Sequence, residues 1–385
     1  MHDETELKMD IISTLPNCIL LYIMSFMTTK EAIQTCVLSK RWKDLWKYLP
    51  TLIASNMHFQ KDSFFKNFVV NVLLHRDHSS ALRNISVEHK GYGPPQLLAK
   101  LVKYATSHYV EQLKIDTFVY ARAKRRIVFS RSMFSSHSLK YLDISFRDSS
   151  RTITLPKTLN LPMLIECHLK DVAFSSGRNR AKPFSGCKQL KTLVINNCTL
   201  ENAQTLCIFN DSLSNLTIWF GILFDHSYKV KISAPNLKSF TFVSCLNASN
   251  TTHQLFKNNL EFLEEARIEV LCSKVSLKIA NTLKSWLKKL SNVKSLTLCS
   301  ETLKVLSSIS NFPNIESLRF GNLMSLVVKC ERAKPVPYEG LKYMLQDSPL
   351  EEATVIEAMP SYYDELQFVF EPTEMIYRKK FPLLR

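Results

Sequence analysis

The sequence predicts an α/β chain in two parts, a short N-terminal bundle of three helices followed by a solenoid of stacked parallel strands. Three observations predict it. Over the first fifty positions, apolar residues keep helical spacing in three capped segments. From about residue 80 one short apolar phrase recurs at intervals of 22 to 35 residues. The chain has 385 residues, of which 45% are hydrophobic, so it is long for one compact domain and apolar enough to bury a sizeable core.

The helical segments come first. Leu15-Pro16 opens the first, with Thr14 ahead as a cap and proline close to the first helical position. Ile19, Leu20, Ile23, Phe26 and Met27 then recur at helical spacing. Thr28 and Glu31 form a T-x-x-E capping box for the second segment, which carries Ala32, Ile33, Cys36 and Val37. Ser39 caps a third, in which Trp42, Leu45 and Trp46 share a face and Leu49-Pro50 ends the run. Fifty residues cannot bury all of these groups alone. Either they pack only on the solenoid behind them, or one apolar face is kept for a partner helix.

The stretch Leu15 to Pro50, LPNCILLYIMSFMTTKEAIQTCVLSKRWKDLWKYLP, resembles the plant F-box. The family pattern opens on Leu-Pro-Asp and runs through Leu-Ser-Lys-Arg-Trp to a Leu-Trp pair. Here those are Leu15-Pro16-Asn17, Leu38-Ser39-Lys40-Arg41-Trp42 and Leu45-Trp46. Two places depart: Asn17 stands where an acid is usual, and Met27-Thr28 where Leu-Pro is common. The resemblance favours the docking face. It implies binding to a Skp-type adaptor and through it a cullin scaffold, with Leu15, Pro16, Ile19, Leu20 and Ile23 as contacts. Trp42 and Trp46 are expected to brace the helices. This unit is assigned residues 1–56, with its core at 14–50.

The recurring phrase is apolar, two residues, apolar, one residue, apolar. It reads Leu82-Ile85-Val87, Val110-Leu113-Ile115, Leu139-Leu142-Ile144, Leu164-Cys167-Leu169, Leu190-Leu193-Ile195 and Leu213-Leu216-Ile218. It continues as Leu237-Phe240-Phe242, Leu263-Ala266-Ile268, Val293-Leu296-Leu298, Ile315-Leu318-Phe320 and a weaker Leu350-Ala353-Val355. This is the leucine-rich-repeat signature, one strand plus a helical or irregular return per repeat. Cys198 and Cys245 fall where that pattern places Asn or Cys, so both thiols read as structural. Helices are expected over 97–105, 282–290 and 341–345. A helix within about 60–80, with Phe64, Phe65, Phe68, Val69, Val72 and Leu73, should cap the array. The solenoid is assigned 57–385, with an irregular C-terminal cap. Plant relatives of this kind carry an extra C-terminal module, of which Tyr338 to Ala358 looks like a reduced version. The last ten residues read as a frayed tail or an outer cap.

Parallel strands on an inner arc turn the residues between their anchors toward the concave side. One such column runs Lys114, Asp143, His168, Val194, Thr217, Thr241, Arg267, Thr297 and Arg319. The other runs Glu88, Asp116, Ser145, Lys170, Asn196, Trp219, Val243, Glu269 and Cys299. His168, Lys170, Asn196, Thr217, Trp219 and Thr241 are the candidate target-binding residues. Trp219 is either a hot spot for a protein or peptide or a side chain covered by a neighbouring loop.

The net charge is +16, yet residues 1–60 are neutral. The columns show acids and bases in similar number, and a phosphate-tracking groove would need a basic stripe. Nucleic acid is therefore disfavoured, and the excess charge should sit on the outer face and loops. A basic interaction or nucleic-acid-binding solenoid without a ligase role is the alternative function. Arg122-Ala123-Lys124-Arg125-Arg126 is either an import signal or anion patch, or a solvated return. The ten cysteines contain no CxxC pair, and the acidic start lacks an apolar signal core, so a reduced intracellular protein is expected, nuclear or cytoplasmic. The single G-x-G, Gly91-Tyr92-Gly93, runs into two prolines, and no G-x-S-x-G occurs, so neither a phosphate-cradling loop nor a hydrolase elbow is expected. His75-Arg76-Asp77-His78 lacks a second cluster to complete a metal site. No apolar run is long enough to span a membrane. The expectation is a non-catalytic, cofactor-free substrate receptor of a ubiquitin ligase, its target protein unread.

Overall fold

The computed structural model describes residues 11–91, 95–118, 127–128, 134–147, 153–176, 179–221, 228–246, 255–257, 260–272, 275–310, 318–330, 336–345, 348–350, 352–357 and 377–382. Helices α1 (Ile11–Thr14), α2 (Asn17–Met24) and α3 (Thr29–Gln34) open the chain. Both halves of the expected capping box form. The Thr28 hydroxyl accepts from the Glu31 N–H, and the Glu31 carboxylate accepts from the Thr28 N–H at 2.8 Å. The third segment is not an α-helix but a turn of 3-10 helix at Leu45–Tyr48, because Pro50 arrives before α-helical bonding can propagate. Leu20, Met24, Ala32, Trp42, Leu45 and Leu49 form the core of this unit. Trp46 packs against both that core and the larger one behind it.

Behind it runs a 13-stranded sheet. Its strands are β1 (Thr51–Ser55), β2 (Asn84–Lys90), β3 (Gln112–Phe118), β4 (Tyr141–Arg147), β5 (Glu166–Lys170), β6 (Thr192–Asn196) and β7 (Asn215–Trp219). They continue as β8 (Ser239–Leu246), β9 (Glu265–Cys272), β10 (Ser295–Cys299), β11 (Ser325–Cys330), β12 (Glu352–Glu357) and β13 (Tyr377–Pro382). Neighbours in sequence are neighbours in the sheet, and each parallel pair aligns anchor with anchor. Leu193, for example, lies between Cys167 and Leu216. Stacked anchors thus form two continuous apolar columns, which is why one short phrase per repeat suffices. The exception is β13, which pairs antiparallel with β12 and closes the C-terminal edge, so this part of the tail is a cap.

Two boundaries differ from the sequence reading. The sheet begins at Thr51, inside the stretch assigned to the N-terminal unit. Leu49, Leu52 and Ala54 repeat the apolar phrase and are all buried, so an extra repeat lies hidden under the F-box-like pattern. The tenth strand phrase is also displaced. Leu318 and Phe320 are buried but precede the strand, whose anchors are Leu323, Leu326 and Val328. Helix α7 (Ser300–Ser310), which the sequence reading missed, consumes the chain that an earlier return would need. Arg319 therefore leaves the concave column, and Val327 and Lys329 take its place.

The returns change character along the array. At the N-terminal end they are α4 (Asp62–His75) and α5 (Pro95–Ser107); at the C-terminal end, α6 (Leu277–Lys289), α7 and α8 (Tyr338–Leu345). Gly340 lets α8 approach α7 closely, since a Cβ there would meet the Leu303 carbonyl at 2.2 Å. In the middle the returns are strands, not helices. One lateral sheet stacks Thr199–Glu201, Ala173–Ser175, Ile153–Leu155 and Ile127–Val128; another stacks Lys229–Ser233, Thr205–Phe209 and Arg180–Ala181. Asp171 and Asn197 turn the corner after β5 and β6 with φ of 55° and 51°, a conformation these side chains tolerate. The Cys198 thiol beyond the corner donates to the Leu169 carbonyl at 3.4 Å, as its repeat position predicts, whereas Cys245 is half-buried.

The N-terminal unit is fixed to the array by polar bonds as well as by Trp46. The buried Arg76 guanidinium donates to the Leu49 carbonyl and, at 3.2 Å, to that of Ser80. Lys30 Nζ donates to the His58 carbonyl at 2.6 Å, and the Thr29 hydroxyl accepts from the Ile53 N–H at 2.9 Å. Arg76 therefore serves the joint between the units, not a metal. Among the described residues no metal-binding cluster occurs, and no helix is long and apolar enough to cross a membrane. The basic run 122–126 lies outside the described residues.

Candidate functional site

Helix α2 is apolar on two sides. Leu20 and Met24 face inward and are fully buried. On the opposite side Ile19, Tyr22, Ile23 and Phe26 follow the i, i+3, i+4, i+7 spacing of one stripe, and all are exposed, Phe26 at 74%. Tyr22 and Phe26 meet edge to face with ring centroids 5.0 Å apart. Val37 and Leu38, after α3, add exposed apolar surface, Val37 at 84%. Of the five expected contact residues, Pro16, Ile19 and Ile23 are exposed and Leu15 is half-buried against the unit's core. Leu20 must be corrected. It is sealed inside, because four-residue spacing to Met24 puts both on the face that meets α3 and Trp42. Tyr22, Phe26, Val37 and Leu38 were missed as surface residues. The available signal was a helix with more apolar residues than one buried face can use.

Arg41 fixes the start of this helix. Its guanidinium donates to the Leu15 carbonyl and, through Nε, to Asn17 Oδ1 at 2.8 Å. The amide of Asn17 thus keeps the hydrogen bond that a carboxylate would make and gives up the charge.

On the concave face the candidate residues stand in register on adjacent strands. His168 aligns with Val194, Val194 with Thr217 and Thr217 with Thr241; Lys170 aligns with Asn196 and Asn196 with Trp219. The structure thus places all six on one continuous surface. Toward the N-terminal side it is charged. His168 Nε2 lies 2.9 Å from Glu166, the Tyr141 ring meets His168 edge-on, and the Tyr141 hydroxyl donates to Asp143 at 3.4 Å. Burial, with Asp143 and Glu166 beside it, pushes the Tyr141 hydroxyl up to about 12, so it stays protonated. Tyr141 and Glu166 belong to a third outward column, before the second anchor, that the sequence reading did not list.

Toward the centre the surface is neutral. Thr217 and Thr241 are half-buried. Trp219 is half-buried too, and its indole Nε1–H and the Asn196 Oδ1 are both enclosed without a hydrogen-bond partner. Beyond it the column closes over. Val243 is buried, Cys299 is buried beside the Thr302 hydroxyl at 3.1 Å, and the buried Glu269 carboxylate takes Arg267 at 2.6 Å and Lys329 at 3.6 Å. Those three residues, expected to project, do not present a free surface. The interior thiols carry no sign of reactivity: burial pushes Cys187 up to about 12 and Cys167 well above its ordinary value.

These surfaces have counterparts among known proteins. Residues 12–53 match the F-box domain family. An F-box/FBD/LRR-repeat protein of Arabidopsis thaliana is 26% identical over 343 residues, which cover 81% of this chain and 71% of the relative. Together these matches support a plant F-box/LRR family. An FBD-associated F-box protein of the same plant is 27% identical over 296 residues, covering 76% of this chain and 67% of the relative. F-box/LRR-repeat protein 13 is 23% identical over 376 residues, covering 95% and 80%. For this F-box/LRR chain the family supports a substrate-adaptor role in SCF-type ligases in general terms. The outward stripe of α2 lies inside the matched F-box residues. The segment compared above with a C-terminal module contributes α8 and β12, both integral to the solenoid.

Proposed function

We propose that this chain is the substrate-recognition subunit of an SCF-type (Skp-cullin-F-box) ubiquitin ligase. Its F-box binds a Skp-type adaptor and through it a cullin, and its concave face holds a target protein for ubiquitination. One observation carries the reading. The stripe Ile19, Tyr22, Ile23 and Phe26 is an apolar surface that the described residues leave uncovered, and Val37 and Leu38 are exposed apolar residues of the same unit. It suits a partner helix with an apolar face. Pro16 and the partly covered Leu15 border it; Leu20 supports it from beneath.

The chain contributes no bond-making group in this reading and calls for no cofactor. It acts by proximity, raising the effective concentration of the ligase around the target's lysines. The joint through Arg76 and Trp46 gives that proximity a fixed geometry, because the target-holding arc cannot swing freely about the adaptor-holding helices. The target-binding centre is the neutral patch of Asn196, Thr217, Trp219 and Thr241, with His168 and Lys170 on its charged flank. Trp219 Nε1 and Asn196 Oδ1 supply a donor and an acceptor that a bound chain would satisfy. The place of action is intracellular, in nucleus or cytoplasm.

Co-elution of the purified chain with a Skp-type adaptor tests the reading. The wild type should form a one-to-one complex, and Ile19→Asp/Ile23→Asp should weaken it about 1000-fold, roughly 4 kcal/mol, with an unchanged melting profile. A wild-type chain that stays apart from an adaptor which captures other F-box proteins would end the proposal.

A further inference from the structure

Part of the excess positive charge gathers on the three-stranded lateral sheet formed by the returns. Along its strands alternate residues point outward. Arg180 and Lys182 are exposed with Ala181 buried between them, and Lys229 is exposed and Lys231 half-buried with Val230 buried between them. Register sets Arg180 beside Thr205 and Thr205 beside Lys229, with Cys207 beside Lys231. The two cationic strands therefore flank a central strand whose outward residues are neutral. With strands about 4.8 Å apart and a rise of about 3.3 Å per residue, the four cations mark the corners of a patch about 10 Å by 7 Å. Its middle is covered: Cys207 is only 2% exposed, and Arg180, Lys182 and Lys231 all act electrostatically on its thiol.

A cavity of about 590 Å³ opens beside this patch. Its lining comprises Lys157, Arg180 and Lys182 among the cations, Thr158, Ser175 and Asn179 among the neutral polar groups, and Ser176, whose hydroxyl donates to the Arg180 carbonyl at 3.1 Å, with no carboxylate among the described lining residues. Among the described residues Lys157, Arg180, Lys182, Lys229 and Lys231 form no ion pair, Lys182 Nζ lying over the Phe209 ring at 5.8 Å, whereas the concave-face bases Lys114, Arg267 and Lys329 each have an acid. Cations gathered around a hollow and left without counter-charges are electrostatically costly unless an anion enters. The volume is that of a small-molecule site, and guanidinium, ammonium, hydroxyl and amide donors together match phosphate oxygens. A nucleic-acid track would instead extend as a stripe along the solenoid, whereas these cations converge on one hollow.

We propose that this cavity binds a small molecule bearing two or more phosphate groups, with Arg180 and Lys182 as the principal contacts and Lys157, Lys229 and Lys231 at its margins. The site lies away from both proposed protein-binding surfaces and rests on no part of the ligase reading. Calorimetric titration of the full chain with inorganic tripolyphosphate at physiological salt tests it. Saturable one-to-one binding is expected, weakened about tenfold or more by Arg180→Ala/Lys182→Ala and by a smaller factor by Lys229→Ala/Lys231→Ala. Lys191→Ala, an exposed cation outside the patch, should leave affinity unchanged, and circular dichroism reports whether each variant is folded. Citrate, a less highly charged anion built of carboxylates, should bind at least tenfold more weakly. Absence of tripolyphosphate binding, equal binding by a folded Arg180→Ala/Lys182→Ala variant, or equal binding of citrate would overturn the proposal. So would tighter binding of a phosphoserine peptide or an oligonucleotide through the same cations, since the site would then be a macromolecular surface.

Discussion

The F-box unit and the solenoid solve the same problem with opposite remainders. In the F-box six buried residues make the core, and α2, which supplies two of them, turns three other large apolar residues, Ile19, Tyr22 and Ile23, toward water. In the solenoid the parallel strands such as β6 bury their anchors between neighbours on either side, and what remains outside is mixed, with charges such as Lys114 and Arg267 paired on the concave face. The difference is one of geometry. A stacked array supplies each apolar face with a partner from its own chain, whereas a three-segment unit of about forty residues runs out of interior. The surface left uncovered in the first case is apolar and suited to a permanent partner. In the second it is set by whichever residues fall between anchors, and so is free to suit a particular target.

That contrast can be broken or sharpened by substitution. The largest effects should come from the two cores. Leu216→Ala, at the centre of the array, should cost about 3 kcal/mol in thermal or denaturant unfolding while adaptor affinity is unchanged. Leu20→Ala should cost a similar amount but weaken adaptor binding too, because the exposed stripe stands on it. Equal adaptor affinity in the folded Leu20→Ala chain would show that the stripe does not depend on its support. The joint comes next. Arg76→Ala should cost about 2 kcal/mol by leaving the Leu49 and Ser80 carbonyls without their donor, and limited proteolysis should then cut near 76–80 earlier than in the wild type.

On the concave face the expected change in stability is nearly nil. Trp219→Phe removes an enclosed N–H that has no partner, so unfolding should shift by less than about 0.5 kcal/mol or move upward, while capture of the target weakens. A loss above about 1 kcal/mol would mean that the indole serves the fold. The smallest effect belongs to the Glu31 cap. The Thr28 N–H and then the Thr28 hydroxyl, donating to the carboxylate, hold Glu31 below its ordinary value. A depressed native value gives stabilisation that is present above the unfolded value and fades as pH falls through the folded one. Melting profiles followed from about pH 6 to about pH 3 should therefore decline slightly less in Glu31→Ala than in the wild type.

Much of this was open to a reader of residues alone. Repeat anchors such as Leu193 and Ile195 declare themselves because burial on both sides demands an apolar residue at each, and the capping box at Thr28 and Glu31 is a local matter of four residues. Leu20 misled for an equally local reason. The F-box pattern marks α2 as a whole, and only its packing against α3 and Trp42 separates the inward pair Leu20 and Met24 from the outward stripe. The first repeat, Leu49-Leu52-Ala54, went unread because one of its anchors also closes the F-box core.

The sequence by itself determined the two-part plan, the spacing of the strands and the family, since each follows from side-chain type at fixed intervals along the chain. Tertiary structure alone decided which residues of α2 meet water, that the central returns are strands, and that Arg180, Lys182, Lys229 and Lys231, up to 51 positions apart, share one surface. The physical reason is that periodicity fixes what a residue must bury, while proximity between distant segments arises only when the stacked repeats bring them into register.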